Sequence, residues 1–302
     1  MIVGHFFLAF SLVGLFALYK GWEKDKCLKM ALAAGMFALL PDIDIIYAWK
    51  EILTLFNTGF YGFTESFWAA SQSVHRGVTH SLIALLSAVI AFTIYHKTRS
   101  KYLAAGITSL AGITGFLTQS VLTGVILALF MATGFYITHR LESISLSEFS
   151  LVSGIGLLLH PFGDLFTGTP PQLLYPSSFS FVESRLVFFT DPVLNLFAVY
   201  GIELSLVWVS LLVYSKIDER SVKLNLNRFS ILGLAYIFFA EVIRQPTLST
   251  SYQFVSSVII TGLAVVFILR KVEEDKNYFS WIVNFVAVMS LSSAAYLIYY
   301  LV

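Results

Sequence analysis

Apolar runs dominate this chain, and its polar residues gather where the runs stop. A helix that crosses the hydrocarbon of a bilayer needs about 20 mostly apolar residues, within a range of ~17–25. Ten segments meet that pattern: 2–19, 28–49, 79–96, 102–118, 120–138, 148–167, 191–214, 229–244, 254–270 and 278–302. The stretch from Tyr102 to Ile137 carries no charge and is too long for one crossing, so Thr118-Gln119-Ser120 is expected to be a hairpin tip. The pattern predicts an all-α fold: a polytopic membrane helix bundle with about ten transmembrane helices, eight at the least.

Composition agrees with that reading. Hydrophobic residues make up 57% of the 302 and charged residues 12%, about half the ~25% charge of ordinary soluble domains. The mean hydropathy is +0.80. So little charge cannot cover a soluble protein of this size, so the lipid bilayer must cover part of it. A cytosolic enzyme, a disordered chain and a disulfide scaffold are excluded. A formal net charge of +1 gives no argument for nucleic acid. The lone Cys27 excludes an intrachain disulfide and a cysteine-cluster metal site. The start, Met1-Ile2-Val3-Gly4-His5, lacks the basic region of a signal peptide, so the first run is expected to be retained.

Cytoplasmic connections carry excess Lys and Arg. With the N-terminus outside and ten spans alternating, 15 of these cations fall in inside loops. Only Lys50, Arg76, Arg185 and Arg244 remain outside. The expected location is the cell membrane, with the N-terminus facing out. The outer connection 50–78 carries Phe60, Tyr61, Phe63, Phe67 and Trp68. Aromatics beside a span suit the headgroup layer, as an anchor or as a rim where a lipid-like substrate enters.

Ionisable groups at membrane spans are costly and mark functional sites. Here they are His5; Asp42 and Asp44 in Leu40-Pro41-Asp42-Ile43-Asp44; His75 and His80 in His75-Arg76-Gly77-Val78-Thr79-His80-Ser81; His160 and Asp164; and Asp191. The orientation, set from Lys and Arg alone, puts all of them on the outer side. Imidazole and carboxylate without thiolate suit zinc, manganese, iron or magnesium. His160 and Asp164, four apart, share one helix face. Asp42 and Asp44 would diverge by about 200° on an α-helix, so either Pro41 breaks the helix and lets both converge, or one is a ligand and the other orients it. His96 and His139 flank inside loops and are read as ordinary interfacial residues. Glu241 and Arg244, three apart, are expected to pair.

These motifs resemble the YdjM-type family of membrane-bound metal-dependent hydrolases, also described as LexA-binding inner-membrane proteins. The matching pieces are His5, Leu40-Pro41-Asp42-Ile43-Asp44, His75-Arg76-Gly77-x-Thr79-His80-Ser81, Gly156-x3-His160-x3-Asp164 and Tyr175-Pro176. The resemblance covers residues 1–190 as a membrane-embedded metal-site core, with an extra hairpin at about 102–138. Residues 191–302 are additional transmembrane helices. It implies a helical, membrane-embedded metal site with hydrolytic chemistry. The order of motifs is more distantly similar to zinc-dependent phospholipase C, which implies a phosphodiester or lipid-like anionic substrate.

The expected ligands are His5, Asp42, His75, His80, His160 and Asp164, holding one or two divalent ions, zinc first. Asp44 is the expected general base, and Arg76 the residue that holds the anionic group. A metal-ion or proton transporter is the rival reading. A non-catalytic membrane protein with a structural metal is a third.

Overall fold

The structure, a computed structural model, describes residues 2–74, 76–177, 179, 181–238, 240, 251–272 and 277–302; the side chains of Ile2, Tyr61, Trp68, 71–74, Leu224, 251–253 and Val272 are excepted. His75, Glu241 and Arg244 therefore lie outside the described residues, as do the side chains of Tyr61 and Trp68. Every regular element among the described residues is helical. In order they are α1 (Ile2–Tyr19), α2 (Lys24–Leu39), a 3₁₀ segment (Pro41–Leu53), α3 (Thr54–Val74), a short 3₁₀ turn (Val78–His80), α4 (Leu82–Thr98), α5 (Lys101–Thr118), α6 (Val121–His139) and α7 (Leu146–Asp164). There follow α8 (Pro192–Ile217), the single turn α9 (Val222–Asn225), a 3₁₀ segment (Arg228–Phe238), α10 (Ser251–Val272) and α11 (Tyr278–Leu301).

Ten spans are not what this arrangement supports. Among the described residues, four helices are long and apolar enough to cross a membrane: Val121–His139, Pro192–Ile217, Phe254–Lys271 and Tyr278–Leu301. Lys24–Leu39 with Pro41–Phe60, bent by 48°, brings the number to five at most. The physical reason is that local chemistry cuts the apolar runs. Pro41 has no N–H to continue α2. The turn ending at His80 and Ser81 leaves α4 only 17 residues. The run from 229 is an 11-residue 3₁₀ segment, and α7 carries Glu148, His160 and Asp164 within its apolar sequence.

The chain divides into two units, Met1–Phe56 with Ser66–Leu186 and Asn57–Glu65 with Val187–Val302. In the first, Met30, Phe37, Leu85, Phe92, Phe149 and Leu157 are fully buried. The Phe37 ring lies 5.9 Å from both Phe92 and Phe149. Helices that approach this closely need a small residue at the contact. Gly156 supplies it here: a Cβ at that position would stand 2.6 Å from the Ala34 carbonyl oxygen.

A capping box between Ser145 and Glu148 starts α7, and Lys26 Nζ reaches Glu148 Oε1 at 2.5 Å. The hairpin order gives this unit two chemically distinct ends. Lys20, Lys24, Lys26, Lys29, Lys97, Arg99, Lys101 and Arg140 stand at one set of helix ends. The starts of α1 and α4 and the ends of α2 and α7, where the acidic and histidine motifs sit, form the other.

The second unit buries Tyr236, Phe254 and Tyr296. Asn284 pins its irregular part: its amide donates to the Asn225 carbonyl and its oxygen accepts from Asn227 N–H and the Ser230 hydroxyl. Asp191 belongs here. It caps α8, accepting from the N–H groups of Val193 and Leu194 at 2.9 and 2.8 Å, and takes the Tyr300 hydroxyl at 2.9 Å.

Candidate metal centre

Pro41 sets the site's first element. Without an N–H it cannot bond back into α2, and the chain turns into a 3₁₀ segment. The carbonyl of Ala38, three residues before Pro41, accepts instead from His160 Nδ1 at 2.6 Å. A carbonyl only accepts, so His160 carries its proton on Nδ1 and its lone pair on Nε2. His80 is fixed in the same sense. Its Nδ1 lies 3.0 Å from Thr79 Oγ1 and 3.3 Å from Asp44 Oδ2, while the Thr79 hydroxyl donates to that Asp44 oxygen at 2.6 Å. The Thr79 oxygen and the carboxylate are left to accept from Nδ1–H, and the His80 lone pair is again on Nε2.

Both Nε2 atoms point to one place, 2.9 Å apart. Asp164 Oδ2 joins them at 3.2 Å from His80 and 3.5 Å from His160. Asp42 Oδ1 joins at 3.8 and 3.6 Å. Asp42, His80, His160 and Asp164 thus form a buried group that could hold a metal ion, each offering one atom within 4.8 Å of the others. Around a tetrahedral ion with bonds of ~2.0–2.1 Å, donor atoms stand roughly 3.3–3.4 Å apart. The observed separations bracket that value, so the residues fit a small divalent ion. Exposure is 6% for Asp42, 0% for His80 and 1% for His160 and Asp164, so water does little to screen these charges. Asp42, Asp44 and Asp164 are three buried carboxylates, and Arg76 faces the last of them. Carboxylate and imidazole donors of this kind suit a bound divalent cation.

The other expected residues surround the group. Asp44 bonds the far nitrogen of His80, so the two aspartates bracket one imidazole rather than converge on one point. His5 places Nε2 3.2 Å from Asp164 Oδ1, with its ring 3.9 Å from that of His160. Gly163 makes room for it: a Cβ there would lie 2.6 Å from His5 Cε1.

Arg76 is only 5% exposed. Its guanidinium donates to the carbonyls of Asp164, Thr167 and Thr169 and to the Thr167 hydroxyl, and stands 3.7 Å from Asp164 Oδ1. It closes the end of α7 from a backbone φ of +88°, a region costly for a side chain that is not glycine. Sequence reasoning named Thr79 within the His75–Ser81 motif but gave it no role, and it passed over the Ala38 carbonyl and Gly163. The position of Ala38 before Pro41 was the signal for its carbonyl. His96 lies apart from the group. It donates Nε2–H to the Leu141 carbonyl at 3.0 Å and stacks on Phe149.

No match exists among curated proteins or among solved structures. The model of the YdjM inner membrane protein family matches residues 1–246, which include all four residues of the group and most of the chain. With an all-helical fold and several apolar helices of spanning length, this chain is a membrane protein and belongs to the YdjM inner membrane protein family.

Proposed function

We propose that this protein is a membrane-bound metal-dependent hydrolase. It holds a divalent ion, zinc first and manganese, iron or magnesium next, between Asp42, His80, His160 and Asp164. It acts on a phosphodiester or lipid-like anionic substrate at the outer face of the membrane. The observation that carries the reading is the pair of Nε2 lone pairs 2.9 Å apart, each imidazole committed at Nδ1 to another acceptor. Two such lone pairs repel unless a proton or a metal ion is shared between them.

When bound, the ion supplies activation of water and polarisation of a phosphoryl or acyl oxygen. The chain's own residues hold that arrangement in place. Thr79 and Asp44 fix the ring of His80, and the Ala38 carbonyl fixes that of His160. His5 and Arg76 hold Oδ1 of Asp164, which aims Oδ2 at the imidazoles. Asp44 is therefore assigned to orientation rather than to base catalysis. Arg76 is assigned to securing the end of α7 rather than to substrate. The ligand role of His75 and the outward orientation rest on the sequence.

Burial favours a second reading, a structural metal. Four protein donors close a tetrahedral ion, whereas a catalytic ion keeps an open position. Elemental analysis of the purified protein, then phosphodiester and phospholipid hydrolysis with and without chelator, separates the two. Metal-dependent product supports the hydrolase. Product that forms equally after complete metal removal overturns it. Bound metal that raises the melting temperature, with no turnover on either substrate class, selects the structural reading.

A further inference from the structure

The tip of the α5–α6 hairpin is tied to two segments that carry the site. Tyr47 OH, on the 3₁₀ segment that bears Asp42 and Asp44, lies 3.3 Å from Ser120 Oγ. Gln119 Nε2 donates to Tyr175 OH at 2.6 Å. The same stretch receives the start of α4: Ser81 Oγ donates to the Tyr175 carbonyl at 2.8 Å, and Leu82 N–H to the Leu173 carbonyl at 2.9 Å. Thr123 Oγ1 in turn reaches Gln119 Oε1 at 3.3 Å.

Between tip and site lies a half-open recess of about 40 Å³, whose polar lining is Asp44, Tyr47, Thr79, Gln119 and Thr123. A bound water needs roughly 10–15 Å³ of such space and two to four polar partners. The recess offers both, and two of its walls, Asp44 and Thr79, are the groups that hold Nδ1 of His80.

We infer that the hairpin tip is a positioning element of the metal centre. Gln119 and Thr123 hold water against Asp44 and Thr79 and so fix the ring and tautomer of His80. The inference rests on the metal reading above, but its structural half is measurable without metal. A partner bonded directly to a ligating histidine commonly changes metal affinity by about 10–100-fold, and a group that acts through such a partner is expected at the lower end.

Thr123→Val keeps the shape and removes the hydroxyl, and Thr123→Ser restores it. Gln119→Leu removes the amide. Val121→Ala, at a position 65% exposed on the same hairpin, is the control. Two measurements are made: cobalt(II) affinity with its visible absorption spectrum, and nitrogen-15 shifts of His80 in metal-free, histidine-labelled protein. Thr123→Val and Gln119→Leu should weaken cobalt binding about tenfold or more, alter the spectrum and depopulate the Nδ1–H form of His80. Thr123→Ser and Val121→Ala should match wild type.

Wild-type affinity, spectrum and nitrogen shifts in both Thr123→Val and Gln119→Leu would overturn the inference. Wild type that binds no cobalt would overturn the metal reading instead. The nitrogen shifts then decide this inference alone, for or against. Should Thr123→Val fail to fold, Gln119→Leu decides by the same two measurements.

Discussion

His80 and His160, 80 residues apart in the chain, aim their Nε2 atoms at one another across 2.9 Å. Neither ring can relieve the contact by moving its own proton there. The Ala38 carbonyl holds the proton of His160 on Nδ1, and Thr79 with Asp44 holds that of His80. The two imidazoles in this pose, beside two carboxylates, present donors that converge on one point.

Metal content should follow the four inward donors. Purified wild type is expected to carry one or two divalent ions per chain. His80→Ala and Asp164→Ala should each lose them, while His96→Ala, whose ring bonds the Leu141 carbonyl, should not. Elemental analysis on protein of equal purity checks this. Equal metal in His80→Ala and wild type would remove the proposed centre.

Asp44→Asn tests whether Asp44 orients His80. The amide keeps the size of the side chain but loses the charge that faces Nδ1. Metal affinity should fall by about 10–100-fold, the usual effect of removing such a partner, with the same number of ions bound at saturation. Competition with a chelator of known affinity measures it, and an unchanged affinity would leave Asp44 without that role.

Arg76→Ala should destabilise the protein and release metal together. The sequence alone pointed to a substrate-binding arginine whose loss spares the metal. The buried guanidinium instead holds the end of α7 and faces the Asp164 carboxylate. Removing one partner of a buried pair costs about 3–5 kcal/mol. Melting curves and metal analysis on the same sample report both effects. Full metal retention with weaker turnover of an anionic substrate would restore the first expectation.

Gly163→Ala tests the contact with His5. Its Cβ would stand 2.6 Å from His5 Cε1, and overpacking of this kind costs about 1–3 kcal/mol. Adding His5→Ala should return part of that loss, because it removes the atom in the way. A double-mutant cycle in denaturant melts reads the coupling. Strict additivity would mean that the two residues do not press on one another.

Asp191 should contribute stability that depends on pH. The N–H of Leu194, with help from the Tyr300 hydroxyl and Val193 N–H, holds its carboxyl below the ordinary range. A pKa lower in the folded state than in the unfolded one stabilises above the unfolded value of about 3.9. That stability is lost as pH falls through the folded value. Asp191→Ala should thus melt below wild type at neutral pH, and the gap should shrink in acid. A gap unchanged between pH 7 and roughly 3 would contradict the assignment.

The sequence by itself determined the class of fold, the membrane setting and the inventory of chemistry. Apolar runs need lipid or a core wherever they fold. Histidines and aspartates at their ends are too costly there to be incidental. His160 and Asp164 were legible as a pair because helical periodicity is local. How many runs become spanning helices was not legible, since Pro41, the turn at His80 and the 3₁₀ segment from Arg228 interrupt them through geometry that hydropathy does not record.

Nor could the sequence assign roles. Asp42 and Asp44 take different places because a 3₁₀ segment sends them to opposite nitrogens of one ring. Arg76 is buried because the chain after α7 folds back over it. Thr79 turns its oxygen to His80 Nδ1 because its own proton goes to Asp44, 35 residues away. Each of those facts depends on a partner distant in the chain, and only the tertiary structure chose the partner.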